Sequence, residues 1–296
     1  MFQNYKINKL FILLLLIPFI LDAQEKKKGL LEQMVSPKVS FQTTIMDRGT
    51  INNSEGGVEL NKNSIKINNA NLSFSYTNWQ FDWNNVDDLP FGDKVSQPIE
   101  EMHSLSLGVS KAYRLDQRWF SLSSASINAT FEDSLTDSYN IGLFSFASYA
   151  IDSDHSLQVG FFGTYHPVKT IALPIISYSY RARSRDGVQV IIGFPRTYIG
   201  YHINQDTLIR VGATASNSLI RLSNTSTIEK EGYSKFEDYM VNLGISYDYS
   251  NKLKLTGDLL YTVQRDFTIY DKNGNELNNY EMGSSKGVML KAILQF

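Results

Sequence analysis

The chain has no cysteine, and only 7 prolines and 4 histidines among its 296 residues. Without thiols there are no disulfides, thiolate nucleophiles or Cys-ligated zinc and iron–sulfur sites. An excess of one charge is also lacking. With 28 basic and 30 acidic side chains the formal net charge is -2, so no nucleic-acid partner is expected. His103, His155, His166 and His202 lie on separate segments without metal-ligand spacing, and no glycine-rich nucleotide loop occurs. The reading is therefore of a non-enzyme with no metal, no cofactor and no catalytic residue. Beyond the first two dozen residues, no apolar run is long enough to cross a bilayer as a helix. Any later membrane insertion must use strands.

The N-terminus supplies the exception. Lys6 and Lys9 precede an apolar run from Leu10 to Leu21, and Ala23–Gln24 offers a small residue at a cut. Residues 1–23 are thus read as a cleaved signal peptide, with an uncleaved anchor as the alternative. Gln24–Pro37 reads as a polar, flexible leader. Residues 38–296 are read as the folded unit.

In that unit, apolar and polar residues alternate with a period of two and no helical period appears. Hydrophobic residues total only 42% and mean hydropathy is -0.23, yet there are 17 Tyr and 17 Phe. A barrel dilutes its hydrophobicity in this way, because only every second residue meets lipid. Clear examples are Leu105, Leu107 and Val109; Val188, Val190 and Ile192; and Tyr239, Val241, Leu243 and Ile245. Ala70, Leu72, Phe74 and Tyr76 share one parity, whereas Trp79, Phe81 and Trp83 share the other, which predicts a bulge near Asn78. The facing of Tyr139–Ala150 is ambiguous, since Phe144 and Phe146 oppose Ile141 and Leu143. Asn52–Asn63 reads as a loop, and Val39–Asp47 as an extra strand or extension.

Connections alternate in length. Short turns fall near Asp116, Ser153, Asp186, Gln205 and Asn251; longer or Pro-containing ones fall near Asp88, Pro167, Asn224 and Asn275. That is the pattern of an all-β, transmembrane, antiparallel up-and-down barrel with short periplasmic turns. Counting segments gives about twelve strands, with ten to fourteen possible. The last strand places Val288, Leu290, Ala292, Leu294 and Phe296 on one face. A terminal aromatic on such a strand resembles the signal read by the barrel assembly machinery of the outer membrane. The expected location is the cell outer membrane, with its lipid as a partner.

Tyr113, Tyr149, Tyr165, Tyr201, Tyr247, Tyr249 and Tyr261 lie near strand ends and fit interfacial girdles. Parity assigns Arg181, Arg183, Arg210, Asp248, Lys254, Asp258 and Lys291 to the lumen. A basic residue on the lipid face near mid-membrane would cost about 2–4 kcal/mol. Those charges either line a pore and set ion selectivity or pair across a filled lumen. Lys111 is sent outward, close enough to a turn to snorkel. Gly193-Phe194-Pro195-Arg196 marks a sharp turn or bulge, since Pro195 cannot donate to a ladder.

Leu173-Pro174-Ile175-Ile176-Ser177-Tyr178, the Arg185-Asp186-Gly187 turn, Gly193-Phe194-Pro195-Arg196 and Tyr201 resemble an uncharacterised family of bacterial outer-membrane β-barrel proteins. The resemblance implies a fold and a location and brings no binding residues. The functions in view are a small channel or transport barrel of unknown solute, then a structural or adhesive barrel acting through its outer loops. A lipid-modifying enzyme ranks last. Trp79–Phe91 offers either a ligand surface or girdle aromatics.

Overall fold

The computed structural model describes residues 36–296 except 70, 167, 182, 183 and 195. The signal-peptide segment and almost all of the leader lie outside the described residues, as does Arg183. The strands are β1 (Lys38–Thr50), β2 (Gly57–Asn69), β3 (Leu72–Asn84), β4 (Glu101–Arg114), β5 (Trp119–Phe131), β6 (Tyr139–Ala150), β7 (His155–Tyr165), β8 (Ile171–Tyr180), β9 (Gly187–Phe194), β10 (Arg196–His202), β11 (Thr207–Arg221), β12 (Tyr233–Asp248), β13 (Leu253–Tyr270), β14 (Glu276–Met282) and β15 (Lys286–Gln295). Each of β1–β13 pairs antiparallel with the next, and β1 pairs with β15 to close the ring. β13 pairs with β15 along Leu253–Tyr261 and with β14 along Arg265–Tyr270. β14 and β15 are therefore two lengths of one last strand, and fourteen strands surround the lumen.

Fourteen is the upper end of the range drawn from segment counting. The added strands are β1, which pairs on both sides, and β2. The Asn52–Asn63 loop reading is corrected: Gly57–Asn69 is a full strand. It was hidden because Asn61 and Asn63 face outward while Lys62, Ser64 and Lys66 face inward. Both faces are polar, so no alternation shows.

The outer face explains the composition. Leu107, Val109, Ile127, Val159, Ile176, Ile199, Val211, Leu243 and Leu259 all point outward and are exposed, Val159 by 62%. A continuous apolar belt of this kind is stable only against hydrocarbon. Closure of the ring removes the free sheet edges that lipid cannot satisfy. Lys38, Gln295 and the five short turns share one end, which is the periplasmic one in barrels of this type. Tyr113, Tyr201, Tyr247 and Tyr249 ring that end, and Tyr165 and Tyr261 the other, all exposed. Lys111 faces outward and sits over the Tyr113 ring at 5.1 Å.

Above the belt the faces exchange character. Beyond Ile65 and Tyr76 the outward residues become Asn61, Glu59, Asn78, Gln80 and Asp82, while Trp79, Phe81 and Trp83 point inward and are buried. β2, β3 and β4 pair without a register shift through this region. The bulge expected near Asn78 is therefore absent, and parity is continuous; the surrounding solvent changes instead. Nor do the aromatics of Trp79–Phe91 form a girdle or an open surface. They are the core of a lobe that stands beyond the apolar belt.

That lobe is narrower than the barrel beneath it. β11 runs on past the ends of β6–β10 and meets β5 in a parallel bridge, Arg221 to Phe131, with the Glu132 N–H donating to the Arg221 carbonyl at 3.0 Å. Five strands drop out, and β1–β5 with β11–β14 enclose the core. Phe236 stacks on Phe81 at 5.4 Å and packs tilted against Phe267 at 4.6 Å, and Phe91 meets Trp83 edge-on at 5.4 Å. The 85–100 connection folds into this core with Leu89, Phe91 and Ile99. Gln97 imitates a strand partner, accepting from the Trp83 N–H at 2.8 Å and donating to the Trp83 carbonyl at 2.9 Å.

Phe267 is fully buried at the centre of this cluster. Phe267→Ala is expected to destabilise the lobe by about 3–5 kcal/mol. Of the 3 tryptophans, Trp79 and Trp83 sit in the lobe and Trp119 at the opposite end. Denaturant titration followed by fluorescence should therefore show an early transition from the lobe pair, resolved from Trp119→Phe controls. A single unshifted transition would refute the lobe's separate core.

Candidate lumenal site

Beneath the lobe the inward positions form a water-accessible lumen with two charged levels. At the short-turn rim, Asp248 lies 3.4 Å from both Arg185 and Lys254, and Arg181 Nε lies 4.0 Å from Asp154. Arg181 occupies the turn after β8 with φ of 48°. Higher up, Arg210 of β11 donates to both Asp258 oxygens at 2.7 and 2.8 Å and to Ser246 at 2.6 Å. Asp258 also accepts from Asn242 Nδ2 at 3.1 Å, and only 3% of it is exposed. One guanidinium nitrogen, Nη2, serves both carboxylate oxygens while Nη1 holds Ser246, and a buried charge-assisted pair anchored at both ends is rigid.

This pair depends on a glycine. Gly244 lies opposite both Arg210 and Asp258 in the sheet. A Cβ there would lie 1.9 Å from Asp258 Oδ1 and 3.2 Å from Arg210 Cζ.

Lys291 on β15 behaves differently. It points into the lumen opposite Gln42 and Thr256, and its electrostatic neighbours are Lys66, Arg210, Asp258 and Arg196. Neither Lys291 nor Lys66 has an acidic side chain within ion-pair distance among the described residues. Arg196, at the start of β10, faces inward and lies 5.1 Å from the centre of the Tyr198 ring. Lys66 and Arg196 are additions to the residues named from sequence alone. Lys66 was concealed in β2, and Arg196 in the Gly-Phe-Pro-Arg turn. Gly193 there has φ of 152°, and a Cβ on it would lie 2.2 Å from the Ile176 carbonyl.

The ambiguous facing of β6 is resolved by its neighbours. Leu143 pairs with Gly163 and faces lipid, whereas Phe144 and Phe146 pair with Phe162 and Gly160 and face the lumen. With Phe120, Leu122 and Leu173 they make an apolar inner wall on β5–β8. Leu173 is 38% exposed despite pointing inward.

A charged floor separates lumen from lobe. Arg265 donates to Asp238 at 2.5 Å with both side chains buried, and Lys62 lies 4.0 Å from the centre of the Trp79 ring. To one side the wall is incomplete. β10 pairs with β11 only as far as Arg196 and Thr214, whereas β11 continues to Arg221. Between Ala215 and Ile220, β11 has β12 alone as a strand neighbour among the described residues. Such an edge must face water rather than lipid. Ala215, Ser216 and Asn217 are exposed.

Two loops bind the lobe from this side. Tyr233 donates to the Asp137 carbonyl at 3.1 Å, and Ser223 N–H donates to Glu132 at 2.7 Å. His166 is buried against Tyr233, its ring perpendicular at 5.3 Å, and its Nδ1 accepts from the Val168 N–H at 3.1 Å. Burial pushes the His166 pKa down to about 4 from its ordinary value of 6.5. Of the other histidines, His103 and His155 bond the hydroxyls of Tyr76 and Tyr178, and His202 points inward with a buried Nδ1 that has no hydrogen-bond partner among the described residues.

No protein-family profile and no curated protein sequence matches this chain. Among solved structures it aligns with an outer membrane channel from Pseudomonas putida F1 (TM-score 0.42, 10% identity, 92% of this chain and 100% of that one). It also aligns with the KdgM porin in complex with disordered oligogalacturonate (0.39, 8%, 88% and 99%) and the P. putida toluene transporter TodX (0.39, 6%, 88% and 90%). At these scores the likeness carries no argument. The class rests on the chain's own belt, ring and polar interior, which make it a transmembrane β-barrel.

Two outcomes are expected from this geometry. Asp258→Ala, by leaving Arg210 buried and unpaired, should cost about 3–5 kcal/mol in urea unfolding from detergent micelles, and an unchanged midpoint would contradict the pair's role. The undocked β7–β8 loop binds a proton below about pH 6.5 that the docked loop refuses until about pH 4. Docking is therefore strongest above pH 6.5 and weakens about tenfold per unit as pH falls through that window. A spin label at Lys169→Cys should gain mobility between pH 7.5 and 5, and His166→Phe should abolish the change.

Proposed function

We propose that the protein is a gated transport barrel of the outer membrane that carries a small solute and is closed at its outer end in the conformation described. It reaches that membrane after cleavage of the segment 1–23, and the assembly machinery reads the strand ending in Phe296. The observation that carries the reading is a sealed hydrophobic lobe set directly over a solvent-accessible, charged lumen. A barrel needed only as a scaffold has no use for uncompensated inward cations such as Lys66 and Lys291. The incomplete wall beside β11 supplies a side passage under the lobe that opens without unfolding the core.

The words at Leu173–Gly200 support grouping the chain with the uncharacterised barrel family they resemble. The transport reading assigns no bond-making step, so the protein is taken as a non-enzyme. Of the charges named from sequence, Arg210 and Asp258 hold the wall, Arg181, Asp248 and Lys254 set the periplasmic rim, and Lys291 faces the solute.

Planar-bilayer recording tests the gate. The native protein is expected to show little steady conductance. Replacing residues 86–98 with a short Gly-Ser link removes Leu89 and Phe91 from the lobe and should produce stepwise openings, blocked less at low salt for anions than for cations. If both proteins stay silent while folded, the barrel acts as a structural or adhesive element instead.

A further inference from the structure

Two inner walls of unlike chemistry face each other across the lumen. β7 and β15 stand half a ring apart, seven steps in a ring of fourteen. On and around β7 lie Phe120, Leu122, Phe144, Phe146, Phe162 and Leu173, all inward and none fully buried. On and around β15 lie Lys291 and Lys66, with Arg196 reaching in from β10. The two walls are level. Lys66, Lys291 and Phe146 each stand about four or five residues above a periplasmic turn or terminus, a rise of roughly 15 Å along a strand.

Each wall is incomplete alone. The phenylalanines present apolar surface to a lumen that water enters, and such a patch marks a binding surface. Among the described residues the lysines lack the carboxylate partners that Arg210, Arg265 and Lys254 possess. Positive potential confined in a low-dielectric barrel concentrates anions. One ligand chemistry satisfies both walls at once: an anionic head with an alkyl or aryl tail. An inorganic anion would leave the phenylalanines wet, and a neutral hydrocarbon would leave the lysines unpaired.

Building on the transport reading, we infer that the lumen binds amphipathic monocarboxylates, the carboxylate between Lys66 and Lys291 and the tail against Phe144, Phe146 and Phe162. Arg196, at the tip beside the incomplete wall, meets the carboxylate on its way past β11. The apolar lobe above cannot accept the charged head, so the floor of Lys62, Asp238 and Arg265 bounds the site from above.

The test is equilibrium binding by calorimetry on the full barrel in phosphatidylcholine nanodiscs, with empty nanodiscs subtracted. The probes are octanoate, acetate, octanol and octyltrimethylammonium. Octanoate should bind saturably, and the other three at least about tenfold more weakly. Lys66→Met with Lys291→Met should lower octanoate affinity about tenfold while leaving octanol unchanged. Phe146→Gln should weaken octanoate and leave acetate unaffected. Retained heat-modifiable migration shows that each variant is folded. Equal binding of acetate would reduce the site to a small-anion site and overturn the inference, as would equal binding of the cation or no octanoate heat above the lipid control. Because binding is read without flux, saturable octanoate together with silence of both the native protein and the variant lacking residues 86–98 would sink the transport reading and leave this site standing. Conductance without octanoate binding would do the reverse.

Discussion

A strand that rises out of a bilayer without breaking its pairing must exchange the chemistry of its two faces. In hydrocarbon the outward side chains have to be apolar and the inward ones can be polar; in water the order reverses. β2, β3, β12 and β13 make this exchange. On β3 the outward face runs Phe74, Tyr76, Asn78, Gln80, and the inward face runs Ser73, Ser75, Thr77, Trp79, Phe81. Between β2 and β3 backbone hydrogen bonding continues unchanged through the boundary, whereas the β12–β13 pair shifts register there, at Tyr239 and Met240. One sheet therefore holds two barrels of opposite polarity, end to end.

The lobe follows from that exchange. An apolar interior must be dry, and a fourteen-stranded circumference is too wide for side chains to fill. Dropping β6–β10 and bridging β5 to β11 narrows the enclosure until Phe81, Phe236 and Phe267 meet at stacking distance. The same bridging leaves β11 without a neighbour beside the short β9–β10 hairpin. Closure at the top and incompleteness at the side thus have one cause. The charged floor of Asp238 and Arg265 then sits where the two interiors abut, with Lys62 against Trp79.

Inside the wider barrel, positive charge is handled in two ways. Arg210 is matched to Asp258 by an ion pair in which one guanidinium nitrogen serves both carboxylate oxygens, set over Gly244, where no side chain obstructs it. Its energy goes into holding β11, β12 and β13 together. Lys66 and Lys291 have no such match among the described residues, and β15 stands half a ring from the phenylalanine wall around β7. The contrast separates charge that shapes the wall from charge left for a ligand, which inward direction alone does not do.

The lipid-facing strands were legible from the sequence because a two-sided environment writes a two-residue period. Leu107, Val159 and Leu259 announce their facing by their neighbours. By the same physics β2 was illegible: its outward Asn61 and Asn63 stand at the membrane surface and its inward Lys62 and Lys66 in the barrel, so no contrast survives. Trp79, Phe81 and Trp83 gave a true parity that suggested a bulge, because nothing local marks where the membrane ends. The residues by themselves determined the barrel class, the apolar belt and the closing strand to Phe296, since those depend on periodicity within single strands. Tertiary structure alone decided that β5 meets β11, that Arg210 finds Asp258, and that the strand of Lys291 stands half a ring from β7. These are relations between segments distant in sequence, set by ring closure and strand length, and no local pattern encodes them.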